Sequence, residues 1–203
     1  MIKPNILIDE LPESVEIDGK EWQINTDFRV GILFELCIQD DTLSDMEQAL
    51  TIINLVFPNI PNNLPAAMEA AIWFYRCGEE SDTKKANATE EEAPRQKLIY
   101  SFEHDADWIY AAFLETYGID LSECSMHWWK FKALLRALPE TAQFVKIMGY
   151  RSMKITDTMS KKEKEYYRKM KKIYALPLSA TEKEYTDKLT AALINGDDLK
   201  GLI

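Results

Sequence analysis

Apolar residues recur at helical spacing over most of the chain, and the clearest stretch is Asp107–Leu138. Its pattern predicts two apolar helices joined by a tight turn at Gly118. In the second helix, one stripe collects apolar side chains at spacings of three and four: Cys124, Trp128, Phe131, Leu135 and Leu138. We expect this helical pair, with Phe113 against Trp128 and Phe131, to form the centre on which the other elements pack.

Six other helices are predicted from the same period and from residues that start or stop a helix. Ser44–Glu47 and Ser160–Glu163 fit capping boxes, and Pro65 fits the first position of a helix. The predicted helices begin near Thr26, Ser44, Pro65, Thr141, Ser160 and Ser179. The expected fold class is therefore mainly α, with about eight helices packed around the central helical pair.

A small N-terminal β-hairpin is predicted over about residues 15–24. Asp18-Gly19 suits a type I′ turn, and apolar residues alternate with polar ones on both sides of it. The apolar residues 6–8 could add a third strand. Because an isolated hairpin is marginally stable in water, we expect it to pack on the helices, on a further strand or on another copy.

The chain divides into one main domain and a short C-terminal part. Residues 1–177 are predicted to form the helical domain with its hairpin, and residues 178–203 a further helix and tail. Residues 79–94 are poor in apolar side chains, which predicts a mobile loop inside the main domain.

Composition narrows the class of protein. No apolar run approaches the roughly 20 residues that a membrane helix needs. The N-terminus has neither the apolar core nor the cleavage site of a signal peptide, so we expect a cytoplasmic protein that does not enter a membrane. The three cysteines stand singly, which favours neither a disulfide framework nor a zinc site.

Charge is unevenly distributed along the chain, whose net charge is −10. Residues 1–80 carry 15 acids and 4 bases, whereas residues 151–203 carry 8 acids and 12 bases. A chain that is acidic overall argues against a general nucleic-acid binder. The asymmetry favours contact between the opposite ends, either within one chain or by self-association.

Candidates for catalysis or metal binding are few. Cys124 and His127 lie three residues apart on the predicted helix, but their neighbours are apolar, which favours a packing role. At most two side chains of the acidic run around His104 could bind the same metal ion, because adjacent residues point to different faces of a helix. Acids at the start of a helix also complement the helix dipole. Since the nucleotide-binding and hydrolase motifs are also absent, the sequence predicts no enzyme, no metal and no cofactor.

Two groups of residues are candidates for binding a partner. The first, Trp129, Lys132 and Arg136, lies off the apolar stripe of the second central helix. Trp129 is expected to be covered by a neighbouring helix, Thr141–Arg151, or else to face a partner.

The second group lies on the basic segment 161–172 and comprises Lys161, Lys162, Arg168, Lys169 and Lys172. There Tyr166, Met170 and Ile173 are expected to dock inward and to leave the lysines in water. Such a face could meet the acidic half of another subunit or a phosphate backbone.

Several blocks of sequence, in their order and spacing, resemble a phage family. These blocks lie between Leu11 and Pro177 and are Leu11–Arg29, Ala71–Glu80, Asp105–Leu121, Met126–Leu138, Ile147–Arg151 and Lys169–Pro177. The family is encoded in the tail modules of siphophages and prophages of Gram-positive bacteria, between the major tail protein and the tape measure protein. Its members are regarded as tail assembly chaperones.

The resemblance implies a non-catalytic protein of the bacterial host cytoplasm that needs no cofactor. Its partners would be the tape measure protein, whose long hydrophobic helices it keeps soluble, and the major tail protein, which assembles around them. Two alternatives are a structural tail or head-completion protein retained in the virion and a nucleic-acid-binding phage regulator that uses segment 161–172. The family offers no catalytic residue to carry over.

Overall fold

The computed structural model describes residues 3–79 and 98–177, and there the chain forms a two-stranded hairpin followed by seven helices. The elements are β1 (Ser14–Ile17), β2 (Lys20–Gln23), α1 (Phe28–Gln39), α2 (Asp45–Val56), α3 (Leu64–Tyr75), α4 (Ala106–Tyr117), α5 (Trp128–Arg136), α6 (Gln143–Ser152) and α7 (Lys161–Ile173). The prediction of a mainly α fold with a small N-terminal hairpin is confirmed. The eighth predicted helix, near Ser179, and the predicted loop after Glu79 lie outside the described residues.

The hairpin has the predicted turn. Asp18 and Gly19 both have positive φ, 52° and 72°, as a type I′ turn requires. The antiparallel register pairs Val15 with Trp22 and Glu16 with Glu21. Val15 and Ile17 are buried, so one face of the hairpin packs on the helices, next to α3.

The suggested third strand is wrong. Within the described residues the sheet has two strands, and residues 6–8 form a turn instead. The reason is local: the backbone N–H groups of Ile8 and Asp9 both donate to the Asn5 carbonyl, at 3.0 and 2.8 Å. These bonds close the backbone on itself and leave no extended segment to pair with the hairpin.

Helix ends follow the sequence signals closely. Both predicted capping boxes are present, at Ser44 with Glu47 and at Ser160 with Glu163. Pro65 is the second residue of α3 rather than the predicted first, because Asn63 caps the helix and Leu64 begins it. Helix α1 begins at Phe28, two residues after Thr26, because the Asp27 carboxylate accepts the Arg29 N–H at 3.0 Å and caps the helix.

The core centres on Phe131, which is fully buried together with Trp128 and Phe113. Its ring stacks on Phe28 of α1 at 4.9 Å and on Phe113 of α4 at 5.0 Å between ring centroids. Trp128 stacks on the same ring at 5.7 Å. The predicted packing of α4 against α5 is therefore made by aromatic rings, which bury much apolar area and favour offset stacking.

The predicted geometry between the two central helices is wrong in one respect. Gly118 ends α4 in the left-handed conformation, but α5 begins only at Trp128. In between, Asp120 accepts the backbone N–H of Ser122 at 2.8 Å and closes a turn of its own. Cys124 therefore lies in a loop rather than on the helical stripe, and His127 is the residue that caps α5.

A buried ion pair joins α4 to α6. Asp105, whose side chain is 1% exposed, receives two bonds from the Arg151 guanidinium at 2.6 and 2.9 Å. Arg151 also donates to the carbonyls of Ile99 at 3.1 Å and of Tyr174 at 2.6 Å. Asp105, which was expected only to complement the dipole of a helix, thus links the start of α4 to α6 through Arg151. Arg151 in turn binds the carbonyl of Tyr174, the residue that follows α7.

Candidate binding surface

Two consecutive tryptophans set the direction of α5. Trp128 donates its indole N–H to the Tyr75 carbonyl at 2.9 Å, and Trp129 donates to the Phe74 carbonyl at 2.8 Å. Both carbonyls belong to the last turn of α3, where backbone oxygens lack partners within the helix. The start of α5 is thereby bonded to the end of α3, a link that we call the α3–α5 joint.

Trp129 is covered, as expected, but by another element. Its side chain is 4% exposed and packs edge-on against Trp73 at 5.4 Å and face-on against Phe74 at 6.1 Å between centroids. The predicted cover, Thr141–Arg151, was wrong because the indole N–H is bonded to α3. The alternative in which the whole ring faces a partner is excluded by this burial.

The edge of Trp129 nevertheless lines a groove beside α5. The groove has a volume of about 430 Å³. One wall is formed by residues 3–6, and the other by Trp129, Lys132, Ala133 and Arg136, together with Cys77. The structure therefore brings the three predicted residues of α5 to one surface, opposite an N-terminal segment that the sequence did not associate with them.

Charged groups hold the two walls together. Glu79 accepts a bond from Arg136 at 3.2 Å and another from Lys3 at 3.4 Å. The hydrogen bond from Arg136, followed by the charges of both cations, lowers the pKa of Glu79 below its ordinary value. The carboxylate therefore stays ionised and links the N-terminal segment to α5.

Lys132 is a partly desolvated cation at this surface. Its ammonium lies 5.1 Å from the centroid of the Trp128 ring and 5.9 Å from that of Tyr75, both within cation–π range. Burial lowers the pKa of Lys132, while the nearby Glu35 charge opposes that shift. The side chain can offer its charge to a partner with little further loss of hydration.

Glu35 is a buried carboxylate that sequence reasoning missed. It accepts the hydroxyl of Tyr75 at 2.8 Å and that of Tyr100 at 3.5 Å. Burial, and then the Glu35 charge, raise the pKa of both tyrosines above the ordinary value, so the hydroxyls remain donors. An acid inside the otherwise apolar segment of α1 was the only signal available in the sequence.

A turn next to the groove carries exposed apolar side chains. Asp9 accepts the Asn5 N–H at 2.7 Å and Asn5 accepts the Leu7 N–H at 3.0 Å, in addition to the two backbone bonds of the turn. Leu7 is 87% exposed and Ile8 is 81% exposed. We call residues 5–9 the N-terminal turn.

The second predicted group lies on one exposed face of α7. At about 100° per residue, Lys161, Lys162, Arg168, Lys169 and Lys172 fall within roughly a third of the helix circumference. All five side chains are exposed. We call these five residues the basic face of α7.

The inward side of α7 differs from the prediction. Tyr167, Met170 and Tyr174 are half-buried, whereas Ile173 is 56% exposed. Tyr150 of α6 selects this rotation of the helix, because its ring stacks on Tyr174 at 5.8 Å and its hydroxyl is bonded to Tyr166 at 3.2 Å. The stripe of Tyr166, Met170 and Ile173 was therefore wrong in two of its three members.

The two groups form separate surfaces. Helix α5 packs on α1 and helix α7 packs on α6. Among residues 3–79 and 98–177, no ion pair joins the two groups and no cluster of three or more metal-ligating side chains is present. The described helices are also all too short or too polar to cross a bilayer.

Comparison with known proteins identifies a family. No curated protein and no solved structure matches the chain. The family model described as Bacteriophage Gp15 protein matches residues 7–176. This range contains the hairpin, all seven described helices and both groups of candidate binding residues. Because the match spans most of the 203 residues, the chain belongs to the Bacteriophage Gp15 protein family.

Proposed function

We propose that this phage protein is a non-catalytic tail assembly chaperone that binds the tape measure protein. The observation that carries the proposal is the N-terminal turn, which holds exposed Leu7 and Ile8 beside the groove of α5. A protein that keeps apolar helices soluble needs apolar surface in a fixed position. The resemblance to tail-module proteins is the reason for choosing the tape measure protein as the client.

The turn is suited to binding because it is already ordered. Four hydrogen bonds made by Asn5 and Asp9 hold its backbone. Fixing a flexible segment on binding would cost about 1 kcal/mol or more per residue. A client helix therefore meets Leu7 and Ile8 without that loss, and burying both side chains contributes on the order of 3 kcal/mol.

The groove adds polar contacts to this apolar surface. Lys132 and Arg136 lie on its α5 wall and Lys3 on the opposite one. Cations beside an apolar surface suit acidic side chains or the C-terminal end of a client helix, whose carbonyls carry partial negative charge. The acidic character of the remaining chain would keep the complex soluble.

Co-expression with the tape measure protein tests the proposal. We expect the client to become soluble and to co-elute with this chain in size exclusion with light scattering. A variant with Leu7→Ser and Ile8→Ser should fold normally, because both positions are exposed, but should recover at least about tenfold less soluble client, given the apolar area lost.

A matched control uses the same residue types elsewhere. Leu33→Ser with Ile38→Ser changes two exposed apolar residues of α1, away from the turn, and should leave client recovery unchanged. A client that stays insoluble with the unmodified chain, or that elutes without it, would contradict the proposed function. If this chain is instead found at fixed copy number in purified virions, the alternative of a retained structural protein is favoured.

A second candidate function, binding to nucleic acid, is favoured by one observation. The basic face of α7 is exposed and carries five cations on one side of a helix. Binding to DNA whose affinity falls steeply with salt, and falls further in Lys169→Glu, would support this function. Absence of binding at low salt would remove it.

A further inference from the structure

Helix α7 presents a charged face that no other described element covers. None of its residues is buried, and its five exposed cations point away from α6. In the described part of the chain, no acid lies within ion-pair distance of any of the five. The ion pair that α7 does form, Lys164 with Asp157 at 3.3 Å, involves its half-buried side.

The outer face of the hairpin has the opposite charge. Val15 and Ile17 point into the core, so Glu16 points outward, and its cross-strand partner is Glu21. Acids directly opposite each other on a sheet repel and destabilise it. Both acids are exposed, and no described cation is within ion-pair distance of either; Glu21 accepts a hydrogen bond from the Ser14 hydroxyl. We call Glu16 and Glu21 the acidic face.

The two faces differ in extent and are not joined within the described part of one chain. At about 1.5 Å per residue, the cations from Lys161 to Lys172 span roughly 17 Å of helix. The acidic face is shorter, because Glu16 and Glu21 lie directly opposite each other on the two strands. No hydrogen bond or ion pair joins these two faces within the described residues of one chain.

We propose that the basic face of α7 binds the acidic face of the hairpin in a second copy of this chain. The contact relieves the repulsion between Glu16 and Glu21 and pairs cations that have no acidic partner among residues 3–79 and 98–177 of one copy. A polyanion is a poorer occupant, because its charge would extend beyond the basic face and meet the acidic remainder of a chain whose net charge is −10.

The contact is head-to-tail, so each copy keeps one face of each kind. Such heterologous contacts build either a closed ring or an open row. The association uses neither the groove nor the N-terminal turn, so it does not depend on the proposed client.

Charge exchange tests the contact. In sedimentation velocity at low salt, the unmodified full-length chain should associate, and high salt should dissociate it, since exposed pairs are screened. Reversal on α7 (Arg168→Glu, Lys169→Glu) and reversal on the hairpin (Glu16→Lys, Glu21→Lys) should each weaken association at least about tenfold, because like charges now face each other.

Mixing the two reversed variants should restore association, because each then offers the face that the other needs. The matched controls are Lys146→Glu with Lys154→Glu and Glu69→Lys with Glu115→Lys, which change exposed residues away from both faces by the same charge. These controls should associate as the unmodified chain does.

Three results would overturn the proposal: a chain that is monomeric at low salt, reversed variants that associate as before, or a mixture that fails to recover. If only the α7 reversal weakens association, α7 meets some other surface. If larger species form at low salt only when DNA is added, the basic face of α7 is a nucleic-acid site instead.

Discussion

Trp128 packs against the bare Cα of Gly31, and a Cβ added at that position would overlap its ring. The ring cannot retreat, because it is fully buried and stacked on Phe131. We predict that Gly31→Ala lowers the free energy of unfolding by about 1–3 kcal/mol, the usual cost of overpacking a core. Chemical denaturation monitored by circular dichroism measures this change.

The same substitution at Gly149 is the control. Gly149 lies inside α6, and an added Cβ would have no neighbour within 4 Å. Since alanine favours a helix interior, Gly149→Ala should raise the free energy of unfolding by about 0.5–1 kcal/mol. Equal denaturation midpoints for the two variants would show that Trp128 does not occupy the position described.

His127 gives the fold a dependence on pH near neutrality. Its Nδ1 accepts the Trp129 N–H at 3.1 Å, and its Nε2 donates to the Pro12 carbonyl at 3.1 Å, which requires the neutral ring. Burial lowers the pKa of His127 below its ordinary value, although the Pro12 bond opposes the shift. Below about pH 6.5 the unfolded chain therefore binds more protons than the folded one, and stability should fall as the pH drops.

Unfolding at several pH values between about 7 and 5 checks this prediction. His127→Asn keeps an oxygen that can cap α5 but cannot titrate, so its stability should depend less on pH in this range. His104→Asn removes the other histidine of the chain and should retain the dependence of the unmodified protein. A profile for His127→Asn that parallels the unmodified one would contradict the assignment to His127.

At the scale of elements, the Asp105–Arg151 pair connects α4, α6 and the end of α7. Breaking a buried ion pair leaves a charge without a partner, which costs about 3–5 kcal/mol. We therefore predict that Asp105→Asn is strongly destabilising in thermal and chemical unfolding. Asp157→Asn is the control, because its exposed pair with Lys164 should be worth no more than about 1 kcal/mol.

The elements themselves were predictable where their signals are local. Both capping boxes, the Asp18-Gly19 turn and Pro65 act through residues within a few positions, so sequence alone was sufficient. The start of α5 was not predictable, because Asp27 and His127 form an isolated bridge and lie far apart in sequence. The Asp105–Arg151 pair spans 46 positions, and nothing in either neighbourhood indicates the partner.

At the scale of the whole molecule, periodicity was sufficient for the mainly α class and for the aromatic centre. Periodicity was insufficient for the rotation of α7, since Tyr150 of α6 decides which side of α7 is covered. Lys132 and Arg136 were expected to lie off the core stripe and do line an accessible groove. The opposite wall could not be inferred, because it comes from residues 3–6 and joins α5 through Glu79.

The α3–α5 joint also has a consequence for measurements in solution. The indole protons of Trp128 and Trp129 are both bonded to carbonyls of α3, so we expect deuterium to replace them when the two helices separate. Trp108, which is 41% exposed, should exchange its indole proton freely. The exchange rates of the indole protons in an NMR spectrum would therefore report how often the α3–α5 joint opens. The indole proton of the exposed Trp108 serves as the reference.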